Sequence, residues 1–278
     1  MSATPTAAGG GADRPVTVRD FQARRDAGER LVMVSTYDAL FARIADAGGV
    51  DSVLVGDSAG NVVAGFDTTV RVTLDHMIYH GAAVRRGLTR ALLVVDMPFG
   101  TYHASREDAV RNCARVAQET GAQAVKLEGA SEIVEAGVRA VVGMGLPVMG
   151  HLGFTPQSVH ALGGFRVQGR GEQGAQALID DARRLEDAGV FSLVLELVPA
   201  AVAARVCDAV RIPVIGIGAG AACHGQVLVL HDLLGLTEGF EPRFLKRYAR
   251  LAADARGAVE RFAHEVREGT YPDATHSF

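Results

Sequence analysis

The chain has 278 residues, 48% hydrophobic and 22% charged, the balance of a folded globular domain rather than a disordered or fibrous chain. A formal net charge of −4 leaves no basic footprint, so nucleic acid is not an expected partner. The three cysteines, Cys113, Cys207 and Cys223, lie far apart without a CxxC pair, which argues against a disulfide framework and for a reducing, cytoplasmic setting.

The opening stretch MSATPTAAGGGADRP is small and Gly-rich and lacks the apolar centre of a signal peptide, so residues 1–14 are expected to form a disordered tail. No run reaches the roughly 18 apolar residues that a membrane helix needs. Continuous apolar runs of the kind seen in buried parallel strands begin near Leu31, Ser52, Ala91, Ala124, Pro147, Ser192, Pro213 and Gln226. Helical spacing lies between most of them. DALFARIADAGG opens on a capping Asp38 and stops at Gly48-Gly49. SREDAVRNCARVAQETG opens on Ser105, carries acids in its first turn and stops at Gly121. SEIVEAGVRAVVGMG, GAQALIDDARRLEDAG and PAAVAARVCDAV behave alike, the last with Pro199 at a first-turn position. PRFLKRYARLAADARGAVERFAHEVREG predicts a long final helix, part closing the fold and part able to reach a neighbouring subunit.

Eight strands alternating with helices in a chain of this size predict an α/β fold, a single-domain (β/α)8 TIM barrel over residues 15–278 with a C-terminal helical extension. An open doubly wound sheet competes, but no GxGxxG opens the first βα turn.

The apolar runs share a second feature. SVLVGDS stops on Asp57, ALLVVDMPF on Asp96, AVKLEG on Glu128 and SLVLELVP on Glu196, while PVMGHLG stops on His151. In a barrel these positions gather at the C-terminal rim, where such folds place their active sites. Alternation along a strand turns Lys126 to the same side as Glu128. Carboxylates crowded into one mouth repel one another unless a cation or proton sits among them. Oxygen donors without thiolates suit Mg2+, and Lys126 beside them suits the carboxylate of a small oxo-acid. Plainer roles compete for each residue: Asp57 and Asp96 as turn residues, Lys126 as a snorkelling surface cation, His151 as a hydrogen-bonded core residue. Glu196 resists such a reading, because Leu195 and Leu197 flank it and an unpartnered carboxylate there would be costly.

At these residues the sequence resembles the ketopantoate hydroxymethyltransferase family. The shared stretches include VSTYDALFARIAD, VLVGDSAGNVVAGFDTT, VVDMPFGTY, AVKLEG, GHLGFTPQSV, GGFRVQGR, LVLELVP, PVIGIGAG and GQVLVLHDLLG, and run from about residue 15 to the end. The resemblance implies that Asp57, Asp96 and Glu128 hold Mg2+. It implies that Asp57, Ser58, Asp96 and Lys126 bind the keto acid, that Glu196 is the proton acceptor, and that His151 lines the site. The implied reaction moves a hydroxymethyl group from 5,10-methylenetetrahydrofolate to 3-methyl-2-oxobutanoate through a Mg2+-stabilised enolate, giving 2-dehydropantoate for pantothenate synthesis. The implied assembly is a homodecamer of two stacked pentamers.

The glycine-rich stretch 163–174 is open to a lid role, and 216–220, similar to the phosphate-binding corner of many barrels, to a close approach to folate or a tight turn. Two other functions stay open on the residues alone: a Mg2+-dependent lyase or aldolase of a 2-oxo acid, and a non-catalytic barrel that binds a small acid.

Overall fold

The computed structural model describes residues 14–278, so the tail expected over 1–14 lies outside the described residues except for Arg14. Eight strands follow in order: β1 Leu31–Ser35, β2 Ser52–Val55, β3 Leu92–Asp96, β4 Ala124–Glu128, β5 Val148–Gly153, β6 Ser192–Glu196, β7 Val214–Ile217 and β8 Gly225–Val229. Each begins within one residue of its predicted start. All neighbours run parallel, and β1 pairs with both β2 and β8, which closes the expected (β/α)8 barrel.

Strand parity divides the core in two. Leu54, Leu92, Val94, Ala124, Met149, Val194 and Ile215 fill the barrel interior, while Val53, Leu93, Val95, Val125, Leu193 and Leu195 pack outward against the helices. Because side chains alternate along a strand, the inward row of β3 continues from Val94 to Asp96, and that of β4 from Ala124 through Lys126 to Glu128. The apolar layers thus form the floor of the site. The capping signals hold as well. Asp38 Oδ1 accepts from the backbone N–H groups of Leu40 and Phe41 at 2.8 and 2.9 Å, and the helix Arg106–Thr120 stops at Gly121 with φ +71°.

Four details differ from the sequence reading, the first being a helix at Leu74–Arg85 between β2 and β3 that the sequence reading did not place. A helix at Val18–Asp26, missed by periodicity, closes the N-terminal end of the barrel with a fully buried Phe21 set edge-on to Phe191, ring centroids 5.5 Å apart. Its only sequence signal is short: Thr17 N and Oγ1 both donate to Asp20 Oδ2, at 2.7 and 2.8 Å. Pro199 caps the helix Ala200–Ala209 from one residue before it, its carbonyl accepting from Val202 N at 2.9 Å. The final helix begins only at Leu251 and ends at Glu268. Residues 242–250 are irregular, because Tyr248 N and Leu251 N donate to the carbonyls of Leu233 and Leu234 instead of to the preceding turn. No residue of that helix is buried. No helix among the described residues is long and apolar enough to cross a membrane.

Candidate active site

The rim at the C-terminal ends of the strands brings the expected residues together. Asp96 ends β3, Glu128 ends β4 and Glu196 ends β6. Asp57 stands two residues beyond β2, whose ladder stops at Val55. There its carbonyl accepts from Gly60 N at 2.9 Å and starts the turn into a short helix, Ala59–Val62. His151 is likewise not terminal: β5 runs on to Gly153, and His151 pairs in register with Glu128. Asp57, Asp96 and Glu128 are all buried, and each offers a carboxylate oxygen within 4.8 Å of the others. Lys126 Nζ sits among them, 2.8 Å from Asp96 Oδ1, 3.5 Å from Glu128 Oε1 and 3.1 Å from His151 Nδ1.

Burial dominates the electrostatics. It raises the proton affinity of all three acids, most of all Asp96, and with the Glu128 carboxylate pushes Asp57 up to about 6. Burial pulls the proton affinity of Lys126 down, but Asp96, Glu128 and Asp57 outweigh it and hold the ammonium form above its usual range. Burial and the adjacent Lys126 lower the His151 pKa, which favours the neutral imidazole. One buried ammonium does not balance three carboxylates. A hard divalent cation would, and the all-oxygen donor set is the right chemistry for one. Asp96 Oδ1 supports this fit: it is buried and, although close to Lys126, has no aligned hydrogen bond.

Glu196 is set apart. Its side chain is 18% exposed, against 3% for Asp96 and Glu128, and its Oε2 lies 3.3 Å from His151 Nε2 without hydrogen-bond alignment. The backbone around it is fixed. Leu197 adopts φ +49°, a conformation that costs a β-carbon-bearing residue about 1–3 kcal/mol. Bonds of 2.9 Å from Leu197 N to Ile217 O and from Gln168 N to Leu197 O hold it there. Gly153 is needed opposite, because a Cβ at that position would meet Glu196 O at 2.2 Å. Both glycine-rich stretches therefore touch the surroundings of Glu196: one through Gln168, the other through Gly218, where a Cβ would meet Leu197 at 2.9 Å.

Three side chains escaped the sequence reading because they lie on loops with no periodic signal. Tyr37, fully buried, shares a 2.8 Å hydrogen bond between its Oη and Ser58 Oγ, which fixes that hydroxyl at the rim. Gln157 Nε2 donates to Asp57 Oδ2 and to Met97 O, both at 2.9 Å, and Gln157 N donates to Glu128 Oε2 at 3.1 Å. Tyr102 Oη donates to Gln157 Oε1 at 2.8 Å and accepts from Glu128 N at 3.1 Å.

A family model described as ketopantoate hydroxymethyltransferase matches residues 15–274. The chain belongs to that family. Similar proteins cover it almost end to end. The 3-methyl-2-oxobutanoate hydroxymethyltransferase of Thermobifida fusca (strain YX) is 53% identical over 274 residues, which is 99% of this chain and 97% of that one. The protein of the same name from Syntrophus aciditrophicus (strain SB) is 50% identical over 265 residues, 95% and 97% of the two chains. Among solved structures, a phosphonopyruvate hydrolase complex with oxalate and Mg2+ superposes with a TM-score of 0.61 at 12% identity, covering 94% of this chain and 93% of that one. At that identity the likeness concerns the barrel alone. As a ketopantoate hydroxymethyltransferase family member, the chain is a one-carbon transferase, which sets aside the lyase and the non-catalytic barrel.

Proposed function

We propose that the protein transfers a hydroxymethyl group from 5,10-methylenetetrahydrofolate to 3-methyl-2-oxobutanoate, forming 2-dehydropantoate in the first committed step of pantothenate synthesis. The observation that carries this reading is the convergence of three buried carboxylates, one buried ammonium and one partly open carboxylate on a single barrel mouth. Asp57, Asp96 and Glu128 would hold Mg2+, which when bound supplies Lewis acidity to the keto oxygen. Lys126 offers its charge to the substrate carboxylate, and Ser58, fixed by Tyr37, orients the acid. Glu196 takes the C3 proton as general base, and its partial exposure lets that proton leave. His151, whose Nε2 lies 3.3 Å from Glu196 Oε2, positions the base. The C3 carbanion equivalent then forms its new bond to the methylene carbon carried by folate. For the balance to close, water adds to that methylene carbon first and both its C–N bonds break with protonation of the folate nitrogens, so that tetrahydrofolate departs. The carbon is received at the formaldehyde level, and its oxygen takes up the remaining proton to become the hydroxyl.

The test is product formation from 3-methyl-2-oxobutanoate and Mg2+, followed by proton NMR with and without methylenetetrahydrofolate. 2-Dehydropantoate is expected only when folate is present. Folate-independent consumption of the keto acid would contradict the transferase reading.

We also propose that the chains assemble in the cytoplasm as a homodecamer of two stacked pentamers. The C-terminal helix supports this, since Val259, Phe262 and Val266 lie exposed along it at three- and four-residue spacing. Sedimentation velocity is expected to show a ten-chain particle, and a monomer at micromolar concentration would contradict it.

A further inference from the structure

We propose that Gln157, itself oriented by Tyr102, is a positioning residue that sets two of the three carboxylates in the geometry that binds the divalent cation. The inference rests on the metal reading above and concerns residues outside the ligand set.

Gln157 sits in the short 3₁₀ turn Pro156–Ser158, just after β5, and is 4% exposed. Every polar group of its side chain is used. The two amide hydrogens go to Asp57 Oδ2 and Met97 O, the amide oxygen accepts from Tyr102 Oη, and the backbone N–H goes to Glu128 Oε2. The orientation of the amide follows from chemistry. A carboxylate and a carbonyl cannot donate, so the opposite flip would set the Gln157 oxygen against both.

One residue thus holds Asp57 by its side chain, Glu128 by its backbone, and the peptide that follows Asp96 through Met97. These anchors come from three different strand ends. Tyr102 closes the ring by accepting from Glu128 N while donating to Gln157. Without such anchors, carboxylates that repel one another in a dry mouth would turn apart. Each anchor also occupies one oxygen of its carboxylate: Oδ2 of Asp57 and Oε2 of Glu128. Partners of this kind fix ligand orientation and typically account for about 10–100-fold in metal affinity or activity.

The test uses Mn2+ as probe and reads binding directly from loss of the free-ion signal in electron paramagnetic resonance. Gln157→Met keeps the length of the side chain and the backbone N–H but makes none of the three side-chain hydrogen bonds. Its Kd for Mn2+ is expected to rise by roughly 10–100-fold, with most of the kcat regained at saturating Mn2+. Tyr102→Phe, the milder change, is expected to move Kd in the same direction by less. Three outcomes overturn the proposal. If wild type and Asp96→Asn bind Mn2+ equally weakly, the metal reading fails and this proposal with it. If wild type binds and both variants bind within twofold of it, the metal reading stands and the positioning role of Gln157 is wrong. If kcat stays low at saturating Mn2+ while Kd is unchanged, Gln157 acts on something other than the metal site.

Discussion

Glu196→Gln lowers turnover by roughly 10²–10⁴-fold, the usual worth of a positioned general base. The change keeps the size and most of the hydrogen-bonding reach of the side chain while removing its basic oxygen. Because Glu196 stands outside the sealed cluster of Asp57, Asp96 and Glu128, binding of Mg2+ and of the keto acid is expected to survive. The loss therefore appears in kcat, with KM for the keto acid nearly unchanged. The positive φ at Leu197 and the close approach of Gly153 to Glu196 O fix the main chain at this position, and Gln is nearly isosteric with Glu, so the variant leaves the backbone of the site in place. A fall in binding equal to the fall in rate would make Glu196 a substrate or metal contact instead.

Asp96→Asn is expected to act by a different route. It removes one of three negative charges around the cation and turns the 2.8 Å ion pair with Lys126 into, at most, a neutral contact. Metal-ion catalysis supplies several kcal/mol to the transition state, so activity at fixed Mg2+ falls by about 10²–10³-fold at roughly 1.36 kcal/mol per decade. Raising Mg2+ recovers part of it. The wild-type enzyme treated with chelator shows the same loss, fully reversed by Mg2+. Equal activity in chelator and in Mg2+ would remove the metal from the account.

The strands and the rim acids were legible because two independent patterns agree. Short apolar runs mark buried parallel strands, and the break from aliphatic to acidic residue marks the point where the inward row passes from the apolar interior into the polar mouth. Val94 to Asp96 and Ala124 to Lys126 to Glu128 are that transition written in single residues. Tyr37, Tyr102 and Gln157 were not legible, because their roles come from loops folded back across the mouth. A glutamine in GFTPQS has no partner in sequence; Asp57 lies 100 positions away. The start of the last helix failed for a related reason. Residues 242–250 carry helical spacing, but the carbonyls of Leu233 and Leu234 claim the backbone N–H groups that a helix needs. Tertiary hydrogen bonds outweighed local propensity there. The glycine-rich stretches were readable as special backbone but not as neighbours of Glu196, since a positive φ does not say what the turn approaches.

Proton exchange at C3 of 3-methyl-2-oxobutanoate, in the absence of folate, tests the central claim most directly. Proton NMR in deuterium oxide follows loss of the C3 hydrogen and collapse of the methyl doublet. With Mg2+ the wild-type enzyme is expected to catalyse the exchange, chelator to stop it, and Glu196→Gln to slow it by a factor matching its loss in turnover. Exchange in Glu196→Gln at the wild-type rate would contradict the account and move the proton to another group, with His151 the first candidate.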